Sequence, residues 1–124
     1  MAGLTDSRHV SGQLGEQRAL AFLLSRGLRL LHRNYRCKAG ELDLVMQHDE
    51  LLVFVEVRFR QHGHFGGGAA SVDARKRLRL GRAALMYCMQ EVVAPDVSCR
   101  FDVVALGPDR DAIEWYVDAF EVDA

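Results

Sequence analysis

Two acidic residues lie inside apolar segments in the middle of the chain. Asp43 belongs to Glu41–Gln47, and Glu56 belongs to Leu51–Arg60. Both segments alternate or stay apolar as β-strands do, and residues 48–50 are typical of a hairpin turn. Paired as a hairpin, the strands would bring the two carboxylates together, where they repel each other and are poorly solvated. Such a pair needs a shared proton or a cation, and a hard divalent ion with oxygen ligands is the usual solution.

Strand periodicity relates this pair to its neighbours. Because alternate residues share a face, Glu41 is predicted on the face of Asp43, and Arg58 on the face of Glu56. A purely structural interpretation is that nearby arginines pair with the two acids and only neutralise buried charge. Such ion pairs stabilise weakly, because desolvation cancels much of their attraction. The residues alone leave both interpretations open.

A first helix is predicted to begin at Ser11 or Gly12 and to reach Arg26, with Gly27 as its C-terminal stop. Glu16 lies in its first turns, where the helix dipole alone favours an acid. Residues 1–10 are expected to form a flexible tail, so a single domain occupies residues 11–124.

A second helix is predicted over Val72–Gln90, with Ser71 or Asp73 as its N-cap. Helical spacing gives it one apolar seam, formed by Leu78, Leu85 and Met89 and widened by Ala84 and Cys88.

The same helix carries five cations within eight residues. Arg75, Arg79 and Arg82 form one basic stripe, and Lys76 and Arg77 flank it. Most such stripes are only solvated faces. Here the unrelieved repulsion costs the isolated helix stability, which favours an anionic partner.

The remaining segments complete the fold. Leu28–Tyr35, Ser98–Leu106 and Ala112–Phe120 are predicted strands, and residues 61–70, which include three consecutive glycines, are a predicted mobile loop beside the two acids. The order αβββαββ predicts an α/β fold, a mixed β-sheet flanked by helices.

Charge is distributed unevenly, although the formal net charge is only −1. Residues 8–38 and residues 58–82 each carry seven Lys or Arg against one acid, whereas residues 102–124 carry seven acids against one Arg. The near-neutral sum argues against an indiscriminate nucleic-acid binder. A polarised chain can nevertheless present a basic face.

Composition also bears on the compartment. No apolar run approaches membrane length, and Met1–Val10 lacks the apolar stretch of a signal peptide. Cys37, Cys88 and Cys99 are odd in number and have no paired spacing, which argues against a disulfide framework and against a zinc site. We therefore expect a cytoplasmic protein without membrane contact.

The segments around the two acids also carry a resemblance. Gly40-Glu41-Leu42-Asp43, Phe54-Val55-Glu56-Val57-Arg58 and Arg60 resemble the core of the uncharacterised YraN-like bacterial family, over roughly residues 11–120. That family is similar in fold to the restriction-endonuclease-like PD-(D/E)XK nucleases, which include the archaeal Holliday-junction resolvases. The resemblance implies a restriction-endonuclease-like fold and a metal-dependent nuclease acting on DNA, branched or single-stranded forms included.

The resemblance further implies a ligand set for Mg²⁺ or Mn²⁺. Asp43, Glu56 and the main-chain carbonyl of Val57 would hold the ion, and Glu41 and Glu16 would be outer or additional ligands. The ion would polarise a phosphodiester oxygen and lower the pKa of an attacking water.

One position departs from the nuclease motif. The motif expects Lys two residues after Glu56, and this chain has Arg58, which stays protonated and cannot act as a base, although it can clamp a phosphate. Lys76 is a candidate for the missing ammonium. Arg60 and the basic stripe of the second helix are the candidate DNA contacts.

Three classes of function follow from these observations. The first is a divalent-metal-dependent nuclease. The second is a non-catalytic nucleic-acid-binding domain of the same fold, which the arginine at position 58 favours. The third is a protein-interaction module in which the acids are structural.

Overall fold

Two helices and five strands make up the described part of the chain. The computed structural model describes residues 7–59, 72–109 and 111–122. The helices are α1 (Ser7–Ser25) and α2 (Ala74–Gln90), and the strands are β1 (Arg29–Cys37), β2 (Gly40–His48), β3 (Leu51–Phe59), β4 (Cys99–Leu106) and β5 (Ile113–Phe120). The predicted α/β class and the order αβββαββ are confirmed.

All five strands join one mixed sheet in the order β1-β2-β3-β4-β5. The first three form an antiparallel meander, and β4 and β5 are also antiparallel. Only β3 and β4 are parallel, because α2 carries the chain back across the sheet between them. The two helices therefore pack on a sheet whose centre is β3.

The core has one cluster under each helix. Leu52 and Phe54 of β3 belong to the cluster that includes α2, whereas Val53 and Val55 belong to the cluster that includes α1. Since alternate strand residues point to opposite faces, the helices cover opposite faces of the sheet. No helix within the described ranges is long and apolar enough to cross a membrane.

The helix ends match most of the sequence signals. Gly27 follows α1 with a φ of 91°, a conformation that glycine adopts readily, and Asp73 is the N-cap of α2. The side chain of Asp73 accepts a hydrogen bond of 2.8 Å from the backbone N–H of Lys76. Helix α1 begins at Ser7, earlier than predicted, and Ser71, the alternative cap, lies outside the described residues.

The large side chains of the apolar seam predicted on α2 do not face the core. Leu78, Leu85 and Met89 are 46%, 56% and 71% exposed. The buried face of the helix consists of Leu80, Ala83, Ala84 and Tyr87, of which only Ala84 belongs to the predicted seam. Because small alanines let the helix lie close to the sheet, this face packs better than the larger seam, which the sequence pattern favoured.

A buried acid organises the other side of the sheet. Asp102 has no exposed surface, and its carboxylate accepts hydrogen bonds from Arg100 at 3.0 Å, from the Trp115 indole at 2.9 Å and from the backbone N–H of Asp118 at 2.9 Å. The Trp115 ring meets Phe22 of α1 edge-on, with centroids 6.0 Å apart. This acid is satisfied internally, as buried charges must be.

Candidate functional site

The two predicted acids lie where β2 and β3 separate. The ladder between these strands runs from His48 and Leu51 to Leu44 and Val55, and the next residues along the two strands are Asp43 and Glu56. Beyond the ladder, the Asp43 Oδ2 accepts the backbone N–H of Val57 at 2.9 Å. A side chain thus binds a backbone donor at the fork.

The side chains of β2 do not alternate regularly between the two faces of the sheet around Asp43. Leu42 belongs to the cluster under α2 and Leu44 to the cluster under α1, although residues two apart in a regular strand share a face. Strict alternation, on which the sequence placed Asp43 with Glu41, therefore does not hold at this point of β2.

The two carboxyl groups are hydrogen-bonded to each other. Burial raises the pKa of Asp43 to about 9, and the hydrogen bond and the negative charge of Glu56 act in the same direction. The N–H of Val57 opposes them by favouring the charged form. Without a divalent cation, the pair therefore shares a proton at neutral pH.

Helix α2 delivers an ammonium group to this pair. The Lys76 Nζ lies 2.8 Å from Oε2 of Glu56, whose side chain is only 5% exposed. Asp73 holds the backbone of the same lysine through the N-cap hydrogen bond. The structure thus brings together Asp43, Glu56 and Lys76. Lys76 lies on the helix that connects β3 to β4, and its spacing in the sequence does not show that it reaches the acids.

Glu16 approaches the same pair from α1. Burial raises its pKa, and the charges of Glu41 and Glu56 add to the effect, while a hydrogen bond from the Asn34 side chain opposes it. Its Oε1 is buried and has no hydrogen-bond partner among the described residues. Asn34 has a φ of 51° within β1, in the left-handed region that Asn tolerates better than most other residues. Sequence reasoning did not assign Asn34 to the site, although an Asn inside a strand pattern was the available signal.

The other predicted residues lie at the margin or outside the described residues. Glu41 is 3.6 Å from Nε of Arg36, its partner across the β1–β2 ladder. Arg58 is partly exposed near the end of β3, and Arg60 lies outside the described residues. Because Glu41 has a cation of its own, it is the weaker candidate for an additional ligand.

The basic stripe faces solvent. Arg75, Arg79 and Arg82 are all exposed on α2, on the same helix that carries Lys76. Arg77 points elsewhere, since its Nε donates to the Val72 carbonyl at 2.8 Å.

The oxygen donors of this site are few. Within the described ranges, no three His, Cys, Asp or Glu side chains form a ready metal-binding group. Mg²⁺ keeps several of its waters and binds proteins through one or two carboxylates. The Asp43–Glu56 pair meets that smaller requirement, and the unpartnered Oε1 of Glu16 leaves an acceptor for a metal-bound water.

Fold and site together define an α/β domain with paired carboxylates and a lysine where the central sheet forks. The chain belongs to the uncharacterised protein family UPF0102, whose profile matches residues 15–106. This confirms the predicted YraN-like membership. The chain is 52% identical over 113 residues to a UPF0102 protein of Cupriavidus pinatubonensis, covering 90% of this chain and 86% of that one. A Pseudomonas entomophila member is 50% identical over 114 residues, covering 90% and 93%, and a Pseudomonas putida member is 47% identical over 124 residues, covering 98% of both.

Proposed function

We propose that the protein is a divalent-metal-dependent nuclease that cleaves phosphodiester bonds in DNA. The observation that supports this most is the Asp43–Glu56 pair at the strand fork with the Lys76 Nζ 2.8 Å from Glu56. Two acids held in an apolar sheet and sharing a proton are poised to exchange that proton for a cation. A structural role alone would be served better by apolar residues.

Each residue of the site has a task in this proposal. Asp43 and Glu56 would hold Mg²⁺ or Mn²⁺, with Glu16 close enough to influence the pKa of Asp43. When bound, the ion polarises the phosphodiester and makes a water more acidic. Lys76 places a positive charge beside the acids, where it can stabilise the charge that develops on the phosphate. Arg58 can clamp a phosphate oxygen but cannot accept a proton.

The exposed arginines of α2 supply the DNA contacts. Arg75, Arg79 and Arg82 share the helix with Lys76. A strand bound along these arginines would therefore run beside the residue that contacts Glu56. Phosphate contacts of this kind position the substrate and carry no sequence information.

The test is cleavage of linear duplex, single-stranded and branched DNA with Mg²⁺ or Mn²⁺, together with calorimetric binding of Mn²⁺. Asp43→Ala and Glu56→Ala should each abolish DNA cleavage and Mn²⁺ binding, while circular dichroism shows that the fold is intact. Glu50→Ala is the matched control, because Glu50 is an exposed acid in the β2–β3 turn. Ion binding unchanged in both site variants would refute the assignment.

A second function is favoured by one observation. Arg58 occupies the position at which the related nucleases carry Lys, so this chain can be a nucleic-acid-binding domain without catalysis. Wild-type protein that binds DNA but cleaves none of the substrates with Mn²⁺ present would support this second function over the first.

A further inference from the structure

Two cysteines from different elements meet at the wall of a cavity between α2 and the sheet. Cys88 lies near the C-terminal end of α2, and Cys99 is the first residue of β4. Both line a cavity of about 410 Å³, together with Phe54, Phe101 and Arg82 among other residues. This cavity lies apart from the paired acids, and of its lining only Arg82 belongs to the basic stripe proposed to contact DNA.

The two thiols share a hydrogen bond. Burial raises the pKa of both, and the hydrogen bond adds to this rise at Cys88 and opposes it at Cys99, as expected when Cys88 donates and Cys99 accepts. Cys99 is exposed, whereas Cys88 is partly buried. The third cysteine, Cys37, instead lies with its Sγ 3.5 Å from the Gly40 carbonyl in the β1–β2 hairpin. All three are free thiols.

We propose that Cys88 and Cys99 form a reversible oxidation site, at which a hydroperoxide converts the two thiols into a disulfide that ties α2 to β4. Cys88 and Cys99 have no paired spacing in the sequence, and only the fold brings their thiols together.

The chemistry balances with one hydroperoxide. The Cys99 thiolate attacks the peroxide, so that an S–O bond forms, the O–O bond breaks and water or an alcohol leaves. The sulfur of Cys88 then attacks the resulting sulfenic acid, so that the S–S bond forms, the S–O bond breaks and the hydroxyl leaves as water with the proton of Cys88. The peroxide accepts the two electrons that the thiols lose.

The surroundings assign the two sulfurs to different steps. Burial raises the pKa of Cys88 to about 11, and burial also raises that of Cys99, where the hydrogen bond from Cys88 partly offsets it. The thiolate is the reactive form, and the oxidant reaches the exposed thiol first. Cys99 is therefore the attacking sulfur and Cys88 the resolving one.

The experiment treats the reduced full chain with a small excess of hydrogen peroxide, alkylates it with N-ethylmaleimide and maps the peptides by mass spectrometry. We expect a loss of the mass of two hydrogens, labelling of Cys37 alone, a peptide joining Cys88 to Cys99, and reversal by dithiothreitol. Because the bond ties two elements, the oxidised protein should also melt several degrees higher.

Variants provide the controls. Cys88→Ser and Cys99→Ser should each remove the two-hydrogen loss, and Cys37→Ser should keep it. A bond that involves Cys37, a bond between two chains, independent oxidation of each thiol or continued labelling of all three would overturn the proposal. Peptide mapping of the wild type shows whether Cys88 and Cys99 form the disulfide even if a variant folds poorly.

Discussion

At the scale of single residues, Asp43 and Glu56 are neighbours with different partners. Among the described residues, Glu56 faces an ammonium, whereas Asp43 accepts a backbone N–H and shares a hydrogen bond with Glu56. Because its pKa is raised to about 9, Asp43 carries the proton of the pair at neutral pH. The asymmetry makes Asp43 the residue through which pH acts on the fold.

In the absence of divalent metal, we expect the free energy of unfolding to fall as pH rises from the ordinary carboxyl value of 3.8 to about 9. In this window the folded chain keeps a proton that the unfolded chain has released, so a rising pH favours unfolding. A difference of one bound proton between the two states changes the free energy of unfolding by at most about 1.4 kcal/mol per pH unit. Urea titrations in EDTA across the window measure the slope. Asp43→Asn should flatten it and Glu50→Gln should not, and equal slopes in wild type and Asp43→Asn would contradict the expectation.

A second prediction at this scale separates Lys76 from Arg58. If the ammonium at Glu56 stabilises the transition state, Lys76→Ala should reduce cleavage about 10²-fold, as is typical when one such donor is lost. Arg58→Lys should leave activity equal or higher, because neither side chain has to accept the proton of the water. Lys38→Ala is the matched control, since Lys38 is an exposed lysine in the β1–β2 turn. A Lys76→Ala enzyme as fast as the control would remove Lys76 from the site.

Sequence reasoning named the acids of this site and Lys76 as a candidate ammonium, and it missed Asn34 for a physical reason. Asp43 and Glu56 stand out because a charge inside an apolar strand is costly wherever the strand lies. Asn34 is an ordinary residue in its own segment, and Lys76 is one of five cations on its helix. Their importance comes from contacts between distant elements, which local periodicity does not encode.

At the scale of elements, α2 does three things with three faces. Its alanine-rich face packs on the sheet, its first turn brings Lys76 to Glu56, and its outer face presents arginines together with exposed apolar side chains. The pattern predicted the extent of the helix and its basic stripe. The large residues of the predicted seam do not face the sheet, because two apolar stripes with helical spacing compete and only packing against the sheet decides between them.

The basic stripe makes a prediction about salt. If Arg75, Arg79 and Arg82 contact phosphates, replacing all three with Gln should flatten the log–log salt dependence of duplex binding by roughly 0.9 per lost contact. Fluorescence anisotropy with labelled DNA in EDTA measures binding without cleavage. The control replaces three exposed arginines of β1, Arg29, Arg33 and Arg36, and so makes the same change in charge. Equal slopes for wild type and the α2 variant would assign the stripe to solvent.

At the scale of the whole molecule, the sheet order follows from the sequence once the elements are known. Three strands joined by short turns give an antiparallel meander, and a strand, a helix and a strand in succession give a parallel pair. Charge counts were less informative. Asp102 contributes to the acidic count of residues 102–124, yet it is buried against Arg100 and adds nothing to the surface. The acidic C-terminal third therefore supports a protein-interaction module less than its composition indicated.

The buried bond between Trp115 and Asp102 has a spectroscopic consequence. Trp115 is the only tryptophan in the chain, and it packs against α1, on the opposite face of the sheet from the lysine of α2. Its fluorescence therefore reports the state of the β4–β5 edge independently of the acids at the fork. If a site variant no longer binds the ion but its Trp115 emission is unchanged, the variant has lost the binding site and has kept the fold. Trp115 is thus an intrinsic fluorescent probe that distinguishes an inactive but folded variant from an unfolded one.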